Sequence, residues 1–215
     1  MFSTIRKGYN NMVLNTMNSV PVTLPRREIM SRLGYNRHLN VMDDAQRGRI
    51  DQSILDGFAL CRPRARWGCF DINPIGADGV FLPDGTFFPS RALAELLQGS
   101  HVLWVAAVTV GPEISVAAAE KINKGDGAAA AIYDAVGSES ADATMDWLQN
   151  YQNALLTRTG EKLTRKRFSP GYSDLSLGVQ RDIFRLLQLE QFGLCLTGSM
   201  IIEPEKSVTA LAGIK

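Results

Sequence analysis

The ten residues from His101 to Val110 are almost all apolar. A strand with one solvent-facing side alternates apolar and polar residues, whereas a strand covered on both faces shows an unbroken apolar run. A transmembrane helix needs about 20 apolar residues, so this run is far too short to span a bilayer. It therefore predicts a core strand that is buried on both faces, and His101 at its start is expected to be structural.

Helical and strand patterns alternate along the rest of the chain. Turn residues and N-cap residues predict the helices 25–34, 43–60, 90–99, 112–125 and 126–157 and strands at 66–72 and 80–82, with two further strands in 193–214 joined through residues 203–206. We expect an α/β fold of the α+β type, with a twisted, mostly antiparallel sheet and packed helices. Residues 1–22 are polar and aperiodic and are predicted to form a partly disordered N-terminal arm, and 23–215 a single domain.

The longest predicted helix, 126–157, has two further features. Its predicted buried side is Ile132, Val136, Ala143, Trp147, Tyr151 and Leu155. Gly137 lies in the middle of the helix, where glycine costs about 1 kcal/mol relative to alanine, so either a tight crossing or a ligand is expected there. Asp134, Ser138 and Asp142 recur at i, i+4 and i+8, which is typical of a solvated face and also of a site for a cation.

Residues 165–187 combine a basic cluster, a Pro-Gly turn and a short amphipathic helix. Arg167 is followed after three residues by Gly171-Tyr172. A guanidinium group can bind a carboxylate through two parallel hydrogen bonds, Gly171 allows a ligand close to the backbone, Pro170 stiffens the turn and Tyr172 offers a flat face. The alternative is a surface loop whose arginine pairs with a nearby carboxylate. Ser176 is predicted to cap the following helix.

These residues resemble the activation domain of cobalamin-dependent methionine synthase, in its short, free-standing form. The similarity rests on Arg167-Phe-Ser-Pro-Gly-Tyr172 and extends over about residues 25 to 214, through motifs at 106–112, 134–142, 193–199 and 204–210. The chain departs from the full-length synthases at Ser173, where they carry proline, in lacking a histidine soon after, and at Gly198, where they carry an acidic residue.

The resemblance implies binding of S-adenosylmethionine by Arg167, Pro170, Gly171 and Tyr172. It also implies that an acidic residue on the long helix contacts the ligand, which we align with Asp142, and Glu161 is a second candidate of that kind. The implied function is the reductive methylation of cob(II)alamin on a partner, with methionine synthase as the first candidate and an electron donor such as flavodoxin. The partner's cobalt is the nucleophile, so no catalytic side chain is assigned.

Absent motifs and a balanced charge exclude several other classes. The sequence has no corrinoid-binding Asp-x-His-x-x-Gly, no Walker loop, no Gly-x-Gly-x-x-Gly turn and only 2 histidines, so cobalamin and a three-histidine metal site are not expected on this chain. A net charge of +1 gives no reason to expect nucleic acid or a membrane as partner. Three unpaired cysteines and no signal peptide predict a cytoplasmic protein. The alternatives are a conventional small-molecule methyltransferase and an interaction subunit that has lost its ligand, which Gly198 favours.

Overall fold

The computed structural model describes residues 13–35, 43–73 and 75–215. In chain order, its strands and helices are β1 (Asn15–Met17), α1 (Arg26–Arg32), α2 (Asp44–Leu60), β2 (Arg64–Asp71), β3 (Val80–Phe81), β4 (Phe87–Phe88), α3 (Arg91–Leu96), β5 (Val102–Thr109), α4 (Glu113–Asn123), α5 (Gly127–Leu156), α6 (Gln180–Leu187), β6 (Cys195–Leu196), β7 (Ile202–Glu203) and β8 (Ser207–Ile214). Four strands form an antiparallel sheet in the order β1-β2-β5-β8. The predicted mixed fold with an antiparallel sheet is confirmed.

Strand β5 lies in the middle of the sheet and all of its residues are buried, as its apolar run predicts. Successive side chains of a strand point to opposite faces. Leu103 belongs to a buried cluster that includes residues of α3 and α6, whereas Trp104 belongs to a second cluster with Met145 and Leu148 of α5. Both faces of the sheet are therefore covered by helices.

Local capping explains where three of the helices begin. The Ser90 hydroxyl accepts a hydrogen bond from the Leu93 amide at 2.9 Å, and the Asp126 carboxylate accepts one from the Ala129 amide at 3.1 Å. Asp43 and Gln46 form a reciprocal capping box at the start of α2. These contacts satisfy amide groups that have no partner within the helix.

Helix α5 changes partners along its length. Its first half packs against α2 and α4, and its second half packs on the sheet. The buried residues of the second half are Ser140, Ala141, Thr144, Met145, Leu148, Gln149, Gln152 and Leu156. The predicted stripe is wrong there, since Leu155 is 39% exposed. The prediction counted only apolar residues, so it left out the buried glutamines. It also included aromatic residues that lie at the edge of the contact between α5 and the sheet.

Gly137 is explained by the close approach of Lys206. A Cβ atom at Gly137 would lie 2.9 Å from Lys206 Cγ and 3.2 Å from Ile114 Cγ2, so the predicted tight crossing is present. The buried Lys206 side chain ends in an ion pair with Asp134, with 2.5 Å between Nζ and Oδ1. Asp134 thereby pairs with the residue just before β8 and is not a free member of the acidic ridge.

Two predictions about the chain ends need correction. Residues 1–12 lie outside the described residues, but β1 pairs with β2, the Val20 amide donates to Pro63 O at 2.9 Å and Val20 is buried, so residues 13–22 are not a disordered arm. At the other end, β8 joins the main sheet while β6 and β7 pair only with each other. The β6–β7 ladder is two residues long on each strand, and β8 alone carries the C-terminal segment into the main sheet.

Within residues 13–35, 43–73 and 75–215, no helix combines the length and the apolar character needed to cross a membrane.

Candidate ligand-binding site

The segment that carries Arg167 lies along the free edge of β8. The Phe168 and Leu211 backbones exchange two hydrogen bonds of 2.8 Å, and the Ser169 hydroxyl donates to Thr209 O at 2.9 Å. These contacts hold the residues on either side of the Phe168–Leu211 bridge against a strand of the core. Arg167 is thereby placed at the rim of the sheet, facing the side covered by α5.

A compact turn follows at residues 169–175. The Tyr172 amide donates to Ser169 O at 3.1 Å, and the Gly171 amide donates to Leu175 O at 2.8 Å. Gly171 has φ of 88°, a left-handed conformation that glycine adopts without strain. The side chain of Tyr172 is exposed, at 71% of its residue surface, and leaves its ring free for contact with another molecule.

The far side of the turn is anchored by Asp174, which the sequence did not single out. Its carboxylate accepts hydrogen bonds from the Ser90 hydroxyl at 2.5 Å and from the Arg91 amide at 2.7 Å. These hydrogen bonds lower the pKa of Asp174 below its ordinary value, and the hydrogen bond from Ser90 has the largest effect. The turn is therefore fastened to the start of α3 by a charged contact.

The Arg167 guanidinium is held by two side chains of α5. Nη1 donates to Gln149 Oε1 at 2.5 Å, and Nη2 donates to Asp146 Oδ1 at 2.7 Å. Pairing with a nearby carboxylate was the alternative interpretation of Arg167, and this pairing is present. It does not remove Arg167 from solvent, because 24% of the side chain remains accessible.

A groove of about 460 Å³ lies beside this arginine. Ligand sites commonly have volumes of about 300–1,000 Å³. The carboxylates of Asp142 and Asp146 line one side, and the loop residues Arg165, Lys166 and Arg167 line the other, with Tyr172 at the rim. The groove therefore offers both signs of charge within one small space, which suits a zwitterionic ligand.

Asp142 sits at the acidic side of this groove. Its carboxylate is 55% exposed and lies 3.9 Å from an Arg32 nitrogen. Partial burial, and next the neighbouring Glu139 carboxylate, raise the pKa of Asp142 above its ordinary value. At this position the ionised form of the Asp142 carboxyl group is less favourable than in water. A bound cationic group would stabilise that ionised form.

Glu161 is not among the described residues that line the groove. Its carboxylate lies 3.0 Å from His101 Nε2 and accepts a hydrogen bond from the Thr159 hydroxyl at 2.7 Å. Glu161 lies away from the groove because the backbone just after it pairs with the end of β8, at Lys215 and Ile214. The β8 residue that lines the groove is Val208, six residues before Ile214, or about 20 Å away at the rise of a strand. Closeness in sequence did not bring Glu161 to Arg167.

Gln149 is the main site residue that the sequence analysis missed. Together with Asp142 and Asp146 it occupies positions i, i+4 and i+7 of α5, which share one helix face. That spacing was visible in the sequence, but an uncharged glutamine carries no signal of its own. Gly198 lies in the loop between β6 and β7, and a Cβ atom there would meet no described heavy atom within 4 Å. An acidic residue would fit at that position.

The described residues contain no group of three or more His, Cys, Asp or Glu side chains placed to hold a metal ion.

No family model and no curated protein matches the sequence. Among solved structures, the chain is similar to the crystal structure of the MetH reactivation domain bound to AdoHcy, with a TM-score of 0.64 at 17% sequence identity. The match covers 94% of this chain and 78% of that chain. The two chains share a fold. The resemblance stated from the Arg167 turn is thus confirmed at the level of the fold, while the role of each side chain depends on its own contacts.

Proposed function

We propose that this protein binds S-adenosylmethionine in the Arg167 groove and supports the reductive methylation of cob(II)alamin on a partner methyltransferase, with methionine synthase as the first candidate. The observation that carries this proposal is the placement of Arg167, Asp142 and Tyr172 around one groove, in a fold shared with a reactivation domain bound to AdoHcy. AdoHcy is the product that remains when S-adenosylmethionine has given up its methyl group.

The chemistry of the ligand matches the two sides of the groove. S-adenosylmethionine carries a carboxylate, an ammonium and a sulfonium. Arg167 is the group that would bind the carboxylate, because a guanidinium presents parallel donors to it. Asp142 would face the cationic centres, and the exposed ring of Tyr172 offers a surface on which the adenosine can pack.

The residues of this chain would bind and orient, and no general base is required of them. The partner's cobalamin supplies the nucleophile once a reductant such as flavodoxin has delivered one electron. The groove holds the amino-acid end of the ligand, so that the sulfonium methyl is directed outward to a docked partner. The methyl group leaves with the partner, and AdoHcy stays on this chain.

Calorimetry with S-adenosylmethionine tests the binding step, and a trans assay tests the function. A cobalamin-dependent methyltransferase is oxidised to the cob(II) state and mixed with this protein, flavodoxin or another low-potential reductant, and S-adenosylmethionine. The methylcobalt spectrum should return only when all components are present. Cobalamin bound tightly to this chain would contradict the proposal, and so would methylation of a small molecule without a corrinoid protein. No binding of S-adenosylmethionine would favour an interaction subunit instead.

Asp142→Asn is expected to weaken binding of S-adenosylmethionine by about fivefold or less, the range of an exposed ion pair. The affinity for 5′-methylthioadenosine, which lacks the sulfonium and amino groups, should change less, because the lost interaction is with positive charge. Since the pKa of Asp142 is raised, the wild-type affinity should already fall at a pH above the ordinary carboxyl value of about 4. Calorimetry at several pH values measures this, and equal losses for both compounds would assign Asp142 a structural role.

The same substitution has an opposite expected effect on stability. A carboxyl group whose pKa is raised in the folded state begins to destabilise the fold above its ordinary pKa, and the full cost is present above the raised pKa. Asp142→Asn removes this cost, so the variant should be at least as stable as the wild type at pH 7, and the difference should shrink as the pH falls through the raised pKa. Urea unfolding at pH 7 and pH 4 provides the measurement. A residue that reduces stability and improves binding is typical of a site.

A further inference from the structure

The two partners of Arg167 differ sharply in their surroundings. Gln149 is nine-tenths buried, and its amide nitrogen donates to Thr164 O at 3.1 Å and to Arg165 O at 3.4 Å. Gln149 therefore connects the guanidinium to the backbone of the loop that carries it. The Asp146 carboxylate, by contrast, is 65% exposed.

These surroundings give the two contacts different strengths. A buried amide that satisfies several polar groups at once is costly to move, because every displaced partner loses its hydrogen bond. An ion pair with an exposed carboxylate is weak, since water solvates both charges well. The Gln149 contact is therefore the durable one, and the Asp146 contact is the one that can be exchanged.

An incoming carboxylate binds best to two parallel N–H donors of the guanidinium, and Asp146 already accepts a hydrogen bond from one N–H of Nη2. Two carboxylates close to one guanidinium also repel each other. A ligand carboxylate can therefore take its place only if Asp146 moves away, and its exposed side chain has solvent into which it can swing.

We infer that Gln149 is a positioning residue that fixes Arg167, and that Asp146 is an internal carboxylate that a ligand carboxylate displaces. This inference rests on the proposed function and adds a specificity device to it. In the exchange, the ligand carboxylate replaces the Asp146 carboxylate as the partner of Arg167. A ligand without a carboxylate offers no such replacement for the contact with Asp146. The groove thereby discriminates between amino-acid ligands and their decarboxylated forms.

The test compares S-adenosylmethionine with decarboxylated S-adenosylmethionine, which keeps the sulfonium and the ammonium. The measured quantity is the ratio of the two affinities, in which any attraction of Asp146 for the positive charges cancels. Asp146→Asn should raise this ratio by about two- to fivefold, because the competitor is gone. Gln149→Met should lower it by about fivefold, because the guanidinium loses its fixed hydrogen bond. The two substitutions thus have opposite signs.

Matched controls separate these effects from general perturbation. Asp78→Asn removes an exposed carboxylate that pairs with Arg91 outside the groove, and Gln152→Met alters a second buried glutamine of α5. Both should leave the ratio unchanged. Gln149→Glu keeps the shape of the side chain and serves if Gln149→Met does not fold. It should lower the ratio further, because a buried carboxylate on Arg167 cannot leave. In an Arg167→Ala background, Asp146→Asn should have no effect on the ratio.

The outcomes are distinguishable. An unchanged or lowered ratio in Asp146→Asn overturns the displacement, and an unchanged ratio in both Gln149 variants overturns the positioning role. Wild-type protein that binds both compounds equally shows that Arg167 does not bind the carboxylate, and the inference fails while binding of S-adenosylmethionine stands. Wild-type protein that binds neither compound overturns the proposed function and the inference together.

Discussion

Arg167→Ala should weaken the binding of S-adenosylmethionine by about 10- to 150-fold, because a hydrogen bond to a charged group contributes about 1.5–3 kcal/mol. Arg167 is the group in the groove that is held by a buried partner, Gln149, and is still accessible to a ligand. Arg167→Lys should also be impaired, since an ammonium cannot present two parallel donors to a carboxylate. Calorimetry with purified variants measures both affinities.

The control for this result is Arg91→Ala, which removes an arginine from an exposed ion pair with Asp78. The affinity of the Arg91→Ala variant for S-adenosylmethionine should equal that of the wild type. Arg167→Ala also leaves Gln149 Oε1 without its partner, so a loss of stability of about 1–3 kcal/mol is expected. The affinities are therefore compared well below the melting temperature. Wild-type affinity in both Arg167 variants would remove Arg167 from the site.

Trp104→Ala should reduce the free energy of unfolding by about 3–5 kcal/mol. Trp104 is fully buried in the central strand β5, between Cys69 of β2 and Ala212 of β8. It shares a buried cluster with Met145 and Leu148, which flank the site residue Asp146 on α5. A cavity at this place removes support from the helix segment that positions the groove. For a chain of this size, the expected fall in melting temperature is roughly 6–20 °C.

Trp104→Phe is the matched variant. The indole Nε1 of Trp104 has no hydrogen-bond partner among the described residues, so phenylalanine removes a buried donor that contributes no bond. It retains a large ring, and its loss of stability should be clearly smaller than that of alanine. Urea unfolding should show a lower midpoint with an unchanged m-value in Trp104→Ala. A loss below about 1 kcal/mol would show that the core closes around the gap.

Several elements could be predicted because their causes are local. The unbroken apolar run predicted the buried strand β5, and Ser90 and Asp126 predicted the starts of α3 and α5, where both side chains accept the expected amide hydrogen bonds. Ser176 was predicted to cap α6, and its hydroxyl instead accepts from the Gly178 amide in the short 3-10 turn just before that helix. The Pro170-Gly171 pair also predicted a turn, and Gly171 adopts the left-handed conformation that glycine allows in turns.

Other features depend on contacts between distant segments. The edge strand β1 consists of three residues, and its place depends on pairing with β2 and on packing of Leu14 and Met17 against the core. The buried side of α5 is decided by where the helix crosses the sheet, which left Leu155 exposed and Gln152 buried. Glu161, six residues before Arg167 in the chain, was placed with His101 because the intervening backbone follows β8 away from the groove.

The sequence by itself determined the core strand, the cap residues and the arginine and glycine of the candidate turn, since each depends on neighbours within a few residues. The tertiary structure decided which carboxylates reach Arg167. Asp146 and Gln149 are 21 and 18 residues away along the chain and arrive there because α5 packs across the same sheet whose β8 edge holds the turn. Helical periodicity shows which residues share a face, and packing on the sheet decides what that face meets.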